Sequence, residues 1–442
     1  MEKLLAKIGI KGNLRKNFAA ILIIACSGMI IYGLPYFRLD YYDAYVATYN
    51  LTDIQMGLLG SVYGAFGMIS YLFGGVLADR VPTRVLLTLS MVGTGAGGFV
   101  HLLPLPYPVL VGLYAFWGFS SLFAFWPACV KATRIMSDKD DQGKAFGLFE
   151  GGRGICSAIV TMLVVVMFRI GVGSLGEDTL DGQIAGMRAI IIFYSVLTVL
   201  FGIFIWIKMD KTETMEQSDR VSFKDIGSVI RMPAVWIIAI VTLCNYMYCV
   251  SLYYFVPYST AFLGLSISGA AAVSALKKWT APVSNIGGGF LGDKMGTSNL
   301  LFTSFVAVII GTVLILVLPI GTASLPIMIL FIVLYIGSYI FFQVNYSLTW
   351  AMMEEGAVPK KVSGTAAGFI STIGYLPDVF VSLLFGFLVS GGEEEATAAN
   401  LTGYRTFFII LVIALAIGAI FTLIWKNYLK KKGILKSAKK NG

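Results

Sequence analysis

Histidine is almost missing from these 442 residues, where His101 stands alone. No multi-histidine metal centre can be built, and no Ser/His/Asp order of the hydrolytic kind is present. Cysteine is sparse as well. Cys26, Cys129, Cys156, Cys244 and Cys249 lie singly in or beside apolar runs with no C-x-x-C pair, which argues against zinc and against a disulfide framework. Charged residues make up 13% of the chain, against about 25% in soluble domains. No nucleotide-binding glycine loop occurs, and no polar stretch is long enough to bury a core of its own. These deficits exclude the common enzyme classes and call for no cofactor and no metal.

Apolar residues are what the chain has in plenty, at 57% with a mean hydropathy of +0.82. Runs of about 20 such residues recur along its length, each able to cross a ~30 Å hydrocarbon core. The reading is an all-α polytopic membrane protein with twelve spans, near 17–40, 54–78, 83–103, 106–130, 144–170, 186–207, 234–262, 267–292, 298–318, 325–351, 361–388 and 404–427. The first run follows a basic tail without a small-residue cleavage site, so it reads as a span and not a signal peptide.

Loop charges give an orientation. Lys3, Lys7, Lys11, Arg15 and Lys16 precede span one, and Lys430, Lys431, Lys432, Lys436, Lys439 and Lys440 follow span twelve. Alternate loops carry further bases, whereas "GSLGEDTLDG" and "SGGEEEATAAN" carry acids only. Both termini are therefore expected on the cytoplasmic side of a cell inner membrane. The net charge of +9 is accounted for by this placement and by contact with anionic lipid, without nucleic acid.

The polar stretch 209–233 divides the chain in half. The expected organisation is an N-terminal six-helix bundle over 1–207, a linker over 208–233, and a C-terminal six-helix bundle over 234–442 that ends in the basic tail. "FGGVLADRVPTRVLL" after span two recurs as "GGGFLGDKMGTSNLL" after span eight, which supports two related halves. Such halves are the arrangement of many secondary transporters, with the site at their interface near the midplane.

Several charges lie inside the spans. Glu150 and Arg153 sit in span five, with Arg153 ~13 Å past Lys144 at 1.5 Å per residue. Lys277 and Lys278 sit in span eight, with Lys278 ~21 Å from Gly292. Charges near the bilayer centre cost roughly 2.5–3.5 kcal/mol on insertion scales and mark substrate or proton paths. A guanidinium fork suits phosphate, sulfonate or carboxylate oxygens. Other duties stay open. Glu150 and Arg153 at i, i+3 could neutralise each other, Lys277 or Lys278 could pair with an acid, and Arg38 and Asp40 could line an outer vestibule. Asp378 in "GYLPDVF" is either a proton carrier or a charge partner. Tyr32, Tyr36, Tyr246, Tyr253, Tyr375 and Asn345, with Asn245, Asn285 and Gln343, are candidates for hydroxyl and amide contacts.

"GGVLADRVPTR" resembles the loop between spans two and three of the major facilitator superfamily, which implies gating roles for Asp79, Arg80 and Arg84, and for Asp293 in the second half. "KKVSGTAAGFISTIGYL" and "WPACVKATRIMSDKDDQGKAFGLFEGGRG" are similar to segments of organophosphate:phosphate antiporters. That resemblance implies substrate contacts at Arg153 and Arg38. The family's second phosphate-binding arginine falls on Cys249, and Lys278 takes the place of an acid, so the anion implied differs from the usual organophosphate. The expected protein is a monomeric carrier of a small hydroxylated organic anion, by antiport or proton symport. A membrane receptor for such an anion is the alternative.

Overall fold

The computed structural model describes residues 12–123, 125–136, 142–209, 223–321, 324–359, 363–391 and 400–433. The side chains of Asp79, Arg80 and Asp293, named above as gate residues, lie outside the described ones. The secondary structure described is helical, with no strand among those residues.

Several expected spans are not single rods. Span one is α1 (Phe18–Ile30) and α2 (Gly33–Asp40), bent by 46°, followed by α3 (Tyr42–Tyr49). Next come α4 (Asp53–Arg80) and α5 (Thr83–His101), then α6 (Tyr107–Gly118) and α7 (Phe125–Ile135) around a π-helical turn at Phe119–Phe123. Spans five and six are α8 (Gln142–Val172) and α9 (Leu180–Lys208), and α10 (Phe223–Ile230) lies in the linker. Span seven is α11 (Pro233–Ser251) and α12 (Phe255–Leu263), joined by a 3₁₀ turn at Leu252–Tyr254. Span eight is α13 (Ile267–Lys277) and α14 (Ala281–Met295), joined by a 3₁₀ turn at Lys278–Thr280. The rest are α15 (Thr297–Leu316), α16 (Leu325–Glu355), α17 (Ser363–Gly374), α18 (Pro377–Ser390) and α19 (Leu401–Lys431).

The breaks have one covalent cause. Proline lacks an N–H, and its ring presses on the carbonyl four residues back, so the ladder cannot run through it. Pro35, Pro127, Pro257, Pro282 and Pro377 each lie four residues beyond a position in or beside a break: Ile31, Phe123, Tyr253, Lys278 and Ile373. Tyr32, Tyr253, Lys278 and Tyr375 therefore stand where their helices are interrupted.

Among the described residues, seven helices are long and apolar enough to cross a membrane, or eight if the bent α1–α2 pair is one span. Two compact units form. Unit one comprises Met1–Leu51, Leu58–Glu216 and Ser266–Trp279, and unit two comprises Thr52–Gly57, Gln217–Leu265 and Thr280–Gly442. The units thus depart from a cut at the linker by two short segments, and Lys278 falls in the same unit as Arg153 rather than in the other half.

Each unit has its own core. In unit one, Ile21, Ile24 and Ala25 of α1 pack with Leu87, Met91, Phe125, Phe149 and Ile205. In unit two, aromatic rings dominate: Tyr254 stacks on Phe385 at 3.9 Å and Phe255 lies 4.3 Å from Phe408. Ring contacts of this kind contribute about 0.5–1.5 kcal/mol each beyond their buried area.

Candidate functional site

Exposure along two helices marks where a polar site can be. The window of Pro233–Leu263 is 72% buried, against 28% to 44% for the other long apolar helices. On this deeply covered span, Tyr246, Cys249 and Tyr253 form a half-buried stripe at helical spacing, while Met247, Tyr248 and Val250 are buried. Span one repeats the pattern with Cys26, Met29, Tyr32, Tyr36 and Asp40. A lipid-facing helix shows a broad apolar face, so these narrow stripes of phenol, thiol and carboxyl are not lipid surfaces.

Arg153 is the centre of the unit-one cluster. Its Nη1 donates to both carboxylate oxygens of Glu150, at 3.0 and 2.8 Å, in a pair set by i, i+3 spacing on α8. Its Nε donates to the Gly28 carbonyl on α1 at 3.3 Å. The guanidinium carbon lies 4.8 Å over the Trp126 ring and 5.7 Å from the Phe149 centroid. These contacts orient the fork while leaving the side chain 22% exposed and that of Glu150 55% exposed. A cation so held is stiff, half-desolvated and able to meet an anion. Tyr32 lies one turn along span one from Gly28, whose carbonyl accepts from Arg153. Tyr36 meets Tyr63 edge to face at 5.3 Å, and the Tyr63 hydroxyl is 3.0 Å from Ser121 Oγ.

Arg38 belongs to a different cluster. It is 3% exposed, with its guanidinium 5.4 Å from the Tyr114 centroid. The Tyr114 hydroxyl donates to Tyr45 at 3.1 Å, and Tyr45 hydrogen-bonds His101 Nε2 at 2.9 Å. The lone histidine thus ends a buried polar chain rather than standing exposed. Of the span-eight lysines, Lys277 is 3% exposed and Lys278 is half-buried in the 3₁₀ turn. Arg84 is buried with its guanidinium 4.1 Å over Trp206.

In unit two, the Tyr246 hydroxyl donates to Asp378 Oδ2 at 2.9 Å, and Tyr375 packs on Tyr246 with centroids 4.5 Å apart. Asp378 occupies the first turn of α18, where the helix dipole favours a carboxylate. Asn345 is fully buried, and neither its amide nitrogen nor its oxygen has a hydrogen-bond partner among the described residues. Asn245 is buried with its Oδ1 in the same condition. Buried amides normally find partners, so these two retain capacity for a polar contact.

Sequence reasoning missed one group of contacts in unit one. Arg169 donates to Ser268 Oγ from Nε at 3.3 Å and from Nη2 at 3.2 Å, and the Ser268 amide donates to Glu177 Oε2 at 3.3 Å. Ser274 Oγ donates to Asp40 Oδ1 at 2.6 Å. These bonds hold α13 to α2, α8 and the loop after α8. The only sequence signal was serine at positions 266, 268 and 274 of an otherwise apolar helix start.

The profile of the Major Facilitator Superfamily matches residues 17–382. The chain belongs to this superfamily. It is 24% identical over 422 residues to the inner membrane protein YqcE of Escherichia coli (strain K12), covering 93% of this chain and 95% of that protein. It is 28% identical over 260 residues to the probable nitrate/nitrite antiporter NarK1 of Thermus thermophilus, covering 58% of this chain and 57% of that protein. A crystal structure of a bacterial homologue of the human lysosomal transporter Spinster, inward-facing and occupied, matches with a TM-score of 0.73 at 14% identity, over 96% of this chain and 99% of that one. The chain is therefore a multi-pass inner-membrane transport protein of the major facilitator fold, not an enzyme.

Proposed function

We propose that this superfamily member carries a small organic anion across the cytoplasmic membrane by alternating access. The anion is phosphorylated, sulfonated or carboxylated and bears hydroxyls; the mode is antiport or proton-coupled symport. One observation carries the reading: the Arg153 guanidinium is oriented by Glu150, Gly28 and Trp126, yet remains partly exposed inside a span. Arg38, by contrast, is buried with its guanidinium 5.4 Å from the Tyr114 centroid. Tyr32, one turn along span one from Gly28, whose carbonyl accepts from Arg153, offers a hydroxyl to a hydroxylated ligand. The name of the Thermus relative, probable nitrate/nitrite antiporter, refers to inorganic anions and supports the sign of the charge. Similarity to organophosphate:phosphate antiporters supports the organic class. Asp79, Arg80, Arg84 and Asp293 serve as gate residues in this reading, with both termini cytoplasmic.

The test is a thermal-shift screen of purified protein against glycerol 3-phosphate, inorganic phosphate, nitrate, nitrite, a sulfonated sugar and hydroxy-carboxylates, followed by flux in proteoliposomes. Stabilisation by anions with matching flux is the expected result. Stabilisation by neutral sugars alone would overturn the reading, and binding without flux would mark a receptor.

A further inference from the structure

Where α1 crosses α8, the two helices are in close contact. A Cβ placed on Gly152 would lie 2.9 Å from the Ala25 Cβ, so glycine is what permits this approach. On the same crossing, one on each helix, stand Cys26 and Cys156. The Cys156 thiol is 3.8 Å from the Cys26 carbonyl oxygen. Cys26 is half-buried and Cys156 buried, and neither is in a disulfide. Cys26 belongs to the half-buried stripe of span one, and Cys156 lies outside it.

Thiols are weak hydrogen-bonding groups but strong, polarizable donors to soft acceptors. Two of them presented at one point act as a chelate, since capture of the first sulfur makes capture of the second intramolecular. The α1–α8 contact fixes that presentation in the folded protein. Cys129, Cys244 and Cys249 lie elsewhere in the sequence and on other helices, except that Cys129 shares unit one.

We propose that Cys26 and Cys156 form a dithiol site for soft thiophilic groups, of which trivalent arsenic is the best matched. With an organoarsenic oxide, both S–H bonds and the As=O bond break and two As–S bonds form. The oxygen leaves as water with the two thiol protons, and no electrons change hands. The bridge ties α1 to α8 one helical turn from Arg153.

The test treats the full chain in detergent with phenylarsine oxide and measures intact mass. The expected product is a single adduct per chain, stable to excess monothiol and released by dimercaprol. Cys26→Ser and Cys156→Ser each abolish the monothiol-resistant adduct, while Cys129→Ser, Cys244→Ser and Cys249→Ser keep it. Peptide mapping of the wild-type adduct joins the segments holding residues 26 and 156, and this arm needs no variant to fold. A wild-type chain without a monothiol-resistant adduct, or an adduct mapped to other cysteines, would overturn the site.

Discussion

The two units hold Glu150 and Asp378 by different means. In unit one, Glu150 meets Arg153 three residues along the same helix. In unit two, Asp378 meets Tyr246 across 132 residues of chain, helix to helix. A local charge pair forms as soon as its helix forms, whereas the tyrosine–aspartate bond exists only when α11 and α18 are packed. Unit one therefore carries charge by short-range design, and unit two carries a neutral donor on an acid whose position depends on the tertiary fold.

The largest effect expected from breaking this contrast is at Arg153. Arg153→Lys keeps the charge and loses the planar fork, so the best anion of the screen should bind about 1.5–3 kcal/mol more weakly, roughly tenfold to more than a hundredfold. Melting temperature without ligand should hardly move. A cycle with Glu150→Gln separates the roles: recovery of flux in the double variant Glu150→Gln with Arg153→Gln would show that Arg153 only balances Glu150.

Tyr246→Phe comes next. It removes the donor to Asp378 and leaves that carboxylate short of a charge-assisted bond, a loss of about 1.5–3 kcal/mol in this setting. Flux should fall severalfold, and melting temperature should fall with it. An unchanged pH–flux profile in this variant would separate Asp378 from coupling.

Asn345→Leu sharpens the comparison from the other side. A buried amide without partners costs stability, so an apolar replacement of similar size should leave melting temperature equal or higher. Anion-induced stabilisation should decrease if the amide contacts the ligand, and a fully retained shift would remove Asn345 from the site.

Ser274→Ala deletes the bond to Asp40 and should cost about 1 kcal/mol at the α2–α13 contact. Faster hydrogen exchange in α13, with α8 unchanged, is the expected signature.

The smallest effect is a pH response at the end of α16. Glu355 accepts from Trp425 Nε1 at 2.9 Å, but burial raises its pKa above the ordinary 4.5 more than that bond lowers it. For an acid with a raised folded pKa, the stabilisation is complete below its ordinary value and is lost as pH rises through the folded value. Melting temperature should therefore decline slightly across that interval in the wild type and stay level in Glu355→Gln.

The helical class, the seven or eight long apolar spans and the Glu150–Arg153 pair were legible because each is a short-range property: apolar length, charge spacing and i, i+3 geometry. The proline breaks have a cause that reaches only four residues back, yet the expected spans were drawn as single rods. The Tyr246–Asp378 bond and the Arg169–Ser268 and Asp40–Ser274 contacts were not legible, because no local pattern encodes which distant helix will lie alongside. Lys277 against Lys278 was undecided for a related reason. Adjacent residues point about 100° apart on a helix, and the turn to 3₁₀ geometry at Lys278 shifts that angle. The resemblance implied a substrate contact at Arg38, and its guanidinium lies 5.4 Å from the Tyr114 centroid, a contact no local pattern announces.

The proline breaks also bear on how the chain enters the bilayer. Helices such as Gly33–Asp40 and Ile267–Lys277 rise about 12–17 Å at 1.5 Å per residue, around half of a ~30 Å core. None of them can cross alone, and the turn between partners leaves backbone groups that hydrocarbon does not tolerate. Segments of this kind cannot wait in lipid as finished rods for later assembly. They must be covered by neighbouring helices as they leave the translocon, so biogenesis of this protein should depend on the order in which spans are delivered. The prolines that shape the carrier set a demand on its synthesis.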